Sequence, residues 1–436
     1  MVLMMKYDVA VIGGGIAGLT AAIYTAKAGK QVVVIEKQER LGGRAMTNYK
    51  NGAFFNLGGH ALYFGDAYHT FRELGLSLQG NKPSTDAHGV WKDTVNTLPL
   101  SVTSLLTTPL LTWKGKMEFA SWFTKLTKLD THKYDHISLR EWIEGHIKDP
   151  MLRNIFYALL RTTSYVASPD LLAAGPVLKQ LASSMKGVLY LDRGWAPMVE
   201  QLRQLAVKLG VHFVTKNKVV AVGHQNGVVQ HVRCEDGTQI EASHVIMTVS
   251  PAIAHQLVPD AEYTALHTWR DQAMEATVAC LDVTLKRLPK PKQQFVYGID
   301  QTVFLSNHSR AAYVTDDGSQ LITLCKYQGP TTDAQQDLQD LEHMLDLVQP
   351  GWRDVLVAKQ YLPKITVSYD FMHTKRVENP GPAVPEIKGL YVAGEWVTHG
   401  ELLVDAATAS ARRAAEHIIA HDRSERTANY GHRNII

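Results

Sequence analysis

The sequence predicts an α/β fold in two domains, one built around a mostly parallel sheet and the other around an antiparallel sheet with helices. Three observations predict it. A strand, a glycine turn, a helix and a second strand follow one another between residues 7 and 35; a strand signal returns at residues 389–392 and ends in Gly394-Glu395 before a long helical stretch; and the residues between carry many short β-branched and aromatic runs. At 436 residues the chain exceeds the roughly 250–300 residues at which a single core stops growing, so two domains are expected.

The first element is the apolar run YDVAVI at residues 7–12, the pattern of a buried strand. Gly13, Gly15 and Gly18 then form GxGxxG, in which the first makes a tight turn, the second lets backbone approach a pyrophosphate and the third lets the helix lie close on the strand. Residues 19–28 have helix-forming composition, Gly29 stops them, and residues 31–35 repeat the strand pattern. At Ile16 and Ala17 the helix N-terminus offers unpaired N–H groups and partial positive charge to phosphates. Glu36 closes the second strand about 20 residues beyond the glycines, where a carboxylate accepts ribose hydroxyls, and Lys37 follows it. Strand, turn, helix, strand and acid in register make a Rossmann-like dinucleotide site, a more specific signal than the glycines alone.

Leu41-Gly42-Gly43-Arg44 adds a second glycine pair and an arginine just past the acid. Residues 8–47 resemble the FAD-binding signature shared by flavin amine oxidases, protoporphyrinogen oxidases and phytoene desaturases. That resemblance implies FAD rather than NAD, with Gly43 and Arg44 wrapping the diphosphate. It also implies that Leu57-Gly58-Gly59-His60 passes along the flavin ring, although Asn56 stands where the family usually has Asp. By the same resemblance Val219 contacts the adenine, Gly394 and Glu395 bind the ribityl chain, and the helix beginning near Val404 and Ala406 aims its N-terminal N–H groups at flavin N1 and the C2 carbonyl. Where the family commonly reads GAxxSG, this chain reads Ala406-Ala407-Thr408-Ala409-Ser410-Ala411, small for small. Relatives with covalent flavin use a cysteine shortly before the final strand, and none follows Cys325, so noncovalent FAD is expected. His60 has two readings, a ring nitrogen meeting flavin or substrate and a hydrogen-bonded structural histidine.

Further along, Asn51-Gly52, Asn226-Gly227 and Asp236-Gly237 signal hairpin turns. From about residue 82 to 186 the texture is helical, with a capping box at Ser138-Leu139-Arg140-Glu141 and helix starts at Asp149-Pro150 and Ser168-Pro169-Asp170. Residues 104–129 mix leucines and aromatics with lysines; such a stretch is more often a core-facing amphipathic helix than an interfacial helix or the wall of an apolar tunnel. Residues 197–209 show one apolar helical face, and strands are expected from 277 to 361 with one helix around 333–348. The discontinuous FAD-binding domain is therefore expected from 1–80, 187–251 and 386–424, the substrate-binding domain from 81–186 and 252–385, and a polar tail from 425–436.

Net charge is +3 with no basic run, so no nucleic-acid partner is expected. Cys234, Cys280 and Cys325 are odd in number and lack CxxC, which indicates neither a disulfide framework nor a zinc site and fits a reducing cytoplasm. MVLMMKYD is too short in apolar residues for a signal-peptide core, and no run of about 18 apolar residues occurs, so peripheral membrane contact is the form left open. The chemistry expected is an FAD oxidoreductase taking a hydride from a C–C or C–N bond of a bulky, largely apolar small molecule into flavin N5, with dioxygen or a quinone as acceptor; the substrate class rests on the Leu, Trp and Phe content of residues 104–129 and the helices after them. Amine oxidases of the family carry a lysine near N5 and an aromatic residue before the last helix. Aligned on the Cys280 strand, Ala279 takes the first position and Leu403 the second, which favours a desaturase or porphyrinogen-oxidase type; Lys326 is either a substitute from a neighbouring strand or a strand-end surface lysine. The other classes are an amine oxidase, a redox-neutral mutase or isomerase, and a binder of the same fold without catalysis. The oligomeric state is not legible.

Overall fold

The computed structural model describes residues 4–433, and the side chains of residues 6–423. The strand Met4–Ile12 pairs in parallel with Val32–Ile35 on one side and with Gln239–Met247 on the other. His212–Val214 extends the sheet beyond Val32–Ile35, and Leu390–Val392 runs parallel to the end of Gln239–Met247. Three segments far apart in sequence thus build one sheet. Val9, Val11, Val32 and Val34 face one apolar core while Ala10, Ile12, Val33 and Ile35 face another. Burial on both sides is why these strands read as unbroken apolar runs rather than as alternation.

The helices Ile16–Lys27, Ala196–Lys208 and Leu403–Arg433 pack on the first of those faces through Leu19, Ile23, Leu202, Ala206, Ala414 and Ile418. A meander, Val219–Gln225 and Val228–Cys234, is antiparallel to the start of Gln239–Met247, and its turn has Asn226 at φ 51° and Gly227 at φ 70°. Both turn residues are left-handed, as the Asn-Gly signal requires.

The second sheet runs Leu356–Ser368, Ala276–Leu285, Gln320–Tyr327, Val303–Asn307, Phe295–Gly298, His88–Trp91 and Thr94–Thr97, antiparallel except where Phe295–Gly298 meets His88–Trp91. The helix Ala334–Val348 covers one face. Helices Trp113–Leu126, Leu139–His146, Pro150–Ser164 and Ala174–Ser184 form a separate lobe around the fully buried Trp142.

Four expectations are corrected. The region from 82 to 186 is not wholly helical, because residues 88–97 form a hairpin on the edge of the second sheet. Residues 104–129 hold parts of two helices, Val102–Thr107 and Trp113–Leu126, separated around Pro109, whose ring cannot continue the first. Ser168-Pro169-Asp170 begins no helix; the Ser168 carbonyl accepts from the Leu171 and Leu172 N–H groups at 3.2 Å, a turn that precedes the helix at Ala174. The last helix continues to Arg433, since residues 421–430 contain neither proline nor glycine to stop it, so the expected tail is helical there. Its final residues, 434–436, lie outside the described residues.

Candidate active site

Gly13 has φ +107°, and a Cβ on Gly18 would stand 1.9 Å from the Gly13 carbonyl oxygen, so the helix start rests directly on the loop. The Gly14 N–H donates to Glu36 Oε2 at 2.8 Å and the Gln38 N–H to Oε1 at 2.9 Å. Each oxygen keeps lone-pair capacity for a ribose hydroxyl. The second glycine pair lies on the first: the Gly42 N–H donates to the Gly14 carbonyl at 2.8 Å, and the Cβ position of Gly43 is 3.5 Å from the Gly15 Cα. Beside Gly15 there is open space, with nothing but the Gly42 carbonyl, at 3.9 Å, near its Cβ position. Ile16, Ala17 and Gly18 follow as the first helical turn, with no capping side chain and no acid. An anion is the natural complement of that arrangement. The Asn217 N–H donates to the Glu36 carbonyl at 3.2 Å, which brings the backbone leading to Val219 against the end of the same strand, while Lys37 is exposed beyond it.

Arg44 joins the two ends of the chain. Its guanidinium is ion-paired with Glu395, donates to the Val367 carbonyl at 2.7 Å and lies 4.9 Å from the Tyr369 ring centre. The Tyr369 N–H donates to the other Glu395 oxygen at 2.9 Å. Gly394 has φ +144°; its N–H donates to Ser410 Oγ at 2.9 Å, and that hydroxyl donates back to the Gly394 carbonyl at 2.9 Å. Ser410 thus pins the last helix to the strand end, a role its place in a run of small residues did not disclose. At the helix start Ala406 is fully buried and Val404 packs on the first core. Between them Asp405 accepts from the Ala67 N–H at 2.7 Å, capping the helix Asp66–Glu73 from outside, and burial pushes its carboxyl up to about 7.

After Leu57, Gly58 and Gly59 lie against an apolar cluster. A Cβ on Gly58 would be 3.5 Å from Cys280 Sγ, and one on Gly59 would be 3.1 Å from the Tyr165 hydroxyl and 3.9 Å from Cys325 Sγ. Cys280 and Cys325 are opposite one another on adjacent strands with sulfurs 3.4 Å apart. Val278 and Tyr327 are buried in the same cluster, and Phe304, Leu362, Ile365 and Val367 pack against it. Tyr165, at the end of the helix Pro150–Ser164, has φ 62°, a left-handed conformation costly for a bulky side chain. Leu403 is a second such residue, with φ 58° at the start of the last helix.

Two candidate catalytic residues are corrected by their surroundings. Lys326 pairs with Asp337 at 2.8 Å and with Asp340, both on the helix Ala334–Val348. Strand alternation explains it, since Lys326 lies opposite Ala279 on the face that this helix covers, while Cys280 and Cys325 point to the glycine step. Ala279 therefore faces that helix and Cys280 faces Gly58. His60 is only 1% exposed, its Nδ1 lies 2.8 Å from Asn56 Nδ2, its ring stacks on His308 at 4.1 Å, and burial pushes it down to about 4. The ring is buried and held neutral, and its Nε2 has no hydrogen-bond partner among the described residues.

A glycine cradle at a helix N-terminus, joined through an ion pair to a second strand-and-helix unit, is the frame of a flavoprotein, and the model of the flavin-containing amine oxidoreductases matches residues 16–419. The chain belongs to that family. It is 26% identical to the phytoene desaturase of Cercospora nicotianae over 276 residues, 54% of this chain and 44% of that protein. The aligned region spans about half the length of the curated relatives it matches. An oxidoreductase from Methanosarcina mazei has the same fold at TM-score 0.75 and 17% identity, over 94% of this chain and all of that one. Putrescine oxidase, in its structure with putrescine bound, superposes at TM-score 0.74 and 16% identity, over 96% and 100%. The cofactor is FAD, and the residues present fit it: the open glycine rim at Gly15 and Gly43, the uncapped helix start and the carboxylate of Glu36 match a diphosphate and a ribose.

Proposed function

We propose that this protein oxidises a bulky, largely apolar small molecule by hydride transfer from a C–C or C–N bond to FAD, in the manner of a desaturase or porphyrinogen oxidase. When bound, the flavin supplies the two-electron chemistry at N5. The chain's residues supply the rest. Gly13, Gly15 and Gly18 with the helix start at Ile16 and Ala17 hold the diphosphate, Glu36 the ribose and the backbone at Val219 the adenine; Gly394, Glu395 and the helix start near Val404 and Ala406 hold the ribityl end, with Arg44 fixing Glu395 in place.

The observation that supports the substrate class is the apolar cluster against Gly58 and Gly59, which includes Val278, Cys280, Phe304, Cys325, Tyr165 and Tyr327. None of these six carries a carboxylate, and the nearby Asp282 carboxyl is pushed up to about 7 by burial and held by Thr323 and Gln360, so a small ammonium ion would give up its hydration for little return. An apolar molecule gains from the same side chains, with the Tyr165 hydroxyl as an orienting group. Anaerobic screening of tetrapyrroles, polyenes, amino acids and amines for bleaching of the flavin band tests this reading. Reoxidation of the bleached protein by air or by a soluble quinone then identifies the acceptor. The amine-oxidase alternative draws support from the putrescine oxidase likeness, and a redox-neutral isomerase would convert its substrate without net bleaching. We place the protein in the cytoplasm, a setting supported by three buried cysteines that are all free.

A further inference from the structure

Large apolar side chains stand in solvent at one place on the helical lobe. Val102 is 79% exposed, Leu106 58%, Trp113 66%, Met117 54% and Phe123 44%. The helix Trp113–Leu126 buries Gly115, Phe119 and Leu126 on its inner side. Trp113, Met117, Ala120 and Phe123 follow at helical spacing on the other side, and all four are exposed. Val102 and Leu106, four apart, repeat the stripe on the helix Val102–Thr107, which is tied to its neighbour where Lys116 Nζ donates to the Leu106 carbonyl at 2.7 Å. A surface helix needs one apolar side, and here the inner one is already satisfied by Phe119 against Phe156. The outer stripe is surplus to folding.

Charge around the stripe has one sign. Lys114, Lys125 and Lys128 are exposed and have no acidic partner among the described residues. The one carboxylate on the helix, Glu118, accepts from the Lys148 and Asp149 N–H groups, and nearby Asp130 is paired with Lys133. We propose that this face docks on an anionic lipid surface, with Trp113, Met117, Leu106 and Phe123 entering the headgroup–acyl boundary and the lysines on lipid phosphates. A second copy of the chain is a poorer occupant, because a two-fold interface centred on the stripe would set the lysine rim against itself. Phe156 belongs to the helix Pro150–Ser164, whose C-cap is Tyr165. The surface proposal stands without the substrate reading, and its test contains no substrate.

The test is co-sedimentation of the holoprotein with phosphatidylcholine vesicles and with vesicles that also contain phosphatidylglycerol. The wild-type protein is expected to pellet with the anionic vesicles and to be released by salt. Trp113→Ser with Met117→Ser removes two large apolar groups from the boundary and should weaken partitioning about a hundred-fold, roughly ten-fold for each. Lys114→Glu with Lys125→Glu should lower binding to anionic vesicles and leave binding to neutral ones unchanged. Unaltered flavin absorbance and circular dichroism show that the variants are folded, since these side chains are in solvent. Wild-type protein that stays in the supernatant with anionic vesicles would overturn the proposal. So would a double serine variant that pellets like wild type, or one that turns a dimer into a monomer in light scattering, which would show a second copy on this face.

Discussion

Arg44 and Glu395 lie 351 residues apart and share one ion pair, and that contact holds the two halves of the cofactor frame in register. Removing Arg44 leaves a carboxylate that is 5% exposed with, among the described residues, the Tyr369 N–H as its remaining partner. Glu36→Ala removes the acceptor for two loop amides and, on the proposed assignment, for the ribose. Each substitution should cost about 1.5–3 kcal/mol of FAD binding, roughly ten- to hundred-fold in affinity, measured by fluorescence titration of FAD into apoprotein. Full flavin occupancy in the purified variants would contradict the assignment. A second residue-scale expectation concerns Asp282, which is buried beside the apolar cluster and accepts from the Thr323 hydroxyl at 2.6 Å and from Gln360 at 3.0 Å. Burial pushes its carboxyl up to about 7 from an ordinary value of 3.8. Between those values the folded state binds the proton and the unfolded state does not, so the stability it contributes is present at low pH and is lost as pH rises from about 4 to about 7. Asp282→Asn should flatten the dependence of the unfolding midpoint on pH across that window. The glycines and Glu36 were legible because their spacing is itself the chemistry. Cys280, Tyr165 and Ser410 were not, since a cysteine, a tyrosine and a serine carry no mark of what they face until the strands and helices are placed.

At the scale of elements, the helix Asp66–Glu73 begins at Gly65, which has no side chain to cap it, and borrows Asp405 from the start of the last helix. A Cβ on Gly65 would stand 2.3 Å from Asp405 Oδ2. Asp405→Ala should therefore destabilise the protein by about 1–2 kcal/mol in denaturant titration, the usual cost of a lost cap. Gly18→Ala is more severe, because the 1.9 Å approach to the Gly13 carbonyl has no flexible side chain to yield; loss of bound flavin at unchanged helix content is the expected result. Elements with local punctuation could be read from sequence. The Asn-Gly turns require left-handed backbone, and the Ser138 box and Asp149-Pro150 start are satisfied by bonds within one turn. The hairpin at residues 88–97 could not, because HGVW and TVNT are four-residue strands held by a distant neighbour. Ser168-Pro169-Asp170 has the composition of a helix start and serves as a turn, which composition alone does not separate. Along the Cys280 strand Ala279 and Cys280 face opposite sides of the sheet, so a one-residue shift in alignment exchanges the side chains on each face.

For the whole molecule, a sheet made from three chain segments meets a seven-stranded sheet and a helical lobe, and an apolar cluster lies where Gly58 and Gly59 touch the seven-stranded sheet. Return of the chain to the first sheet at Leu390–Val392 is a contact between residues some 145 positions apart. No local pattern encodes it, and it was legible only through the resemblance of the motif order. Among the described residues no helix is long and apolar enough to cross a membrane. No cysteine follows Cys325, so acid precipitation should release all of the yellow colour into the supernatant, and colour retained in the pellet would show a covalent link elsewhere. The apolar cluster supports the central claim, and anaerobic stopped-flow mixing of the holoprotein tests it most directly. The rate of flavin bleaching by a tetrapyrrole or polyene is compared with that by a short diamine. The structure predicts fast bleaching by at least one apolar compound and little by the diamine; fast bleaching by the diamine, with every apolar compound leaving the flavin oxidised, would contradict it.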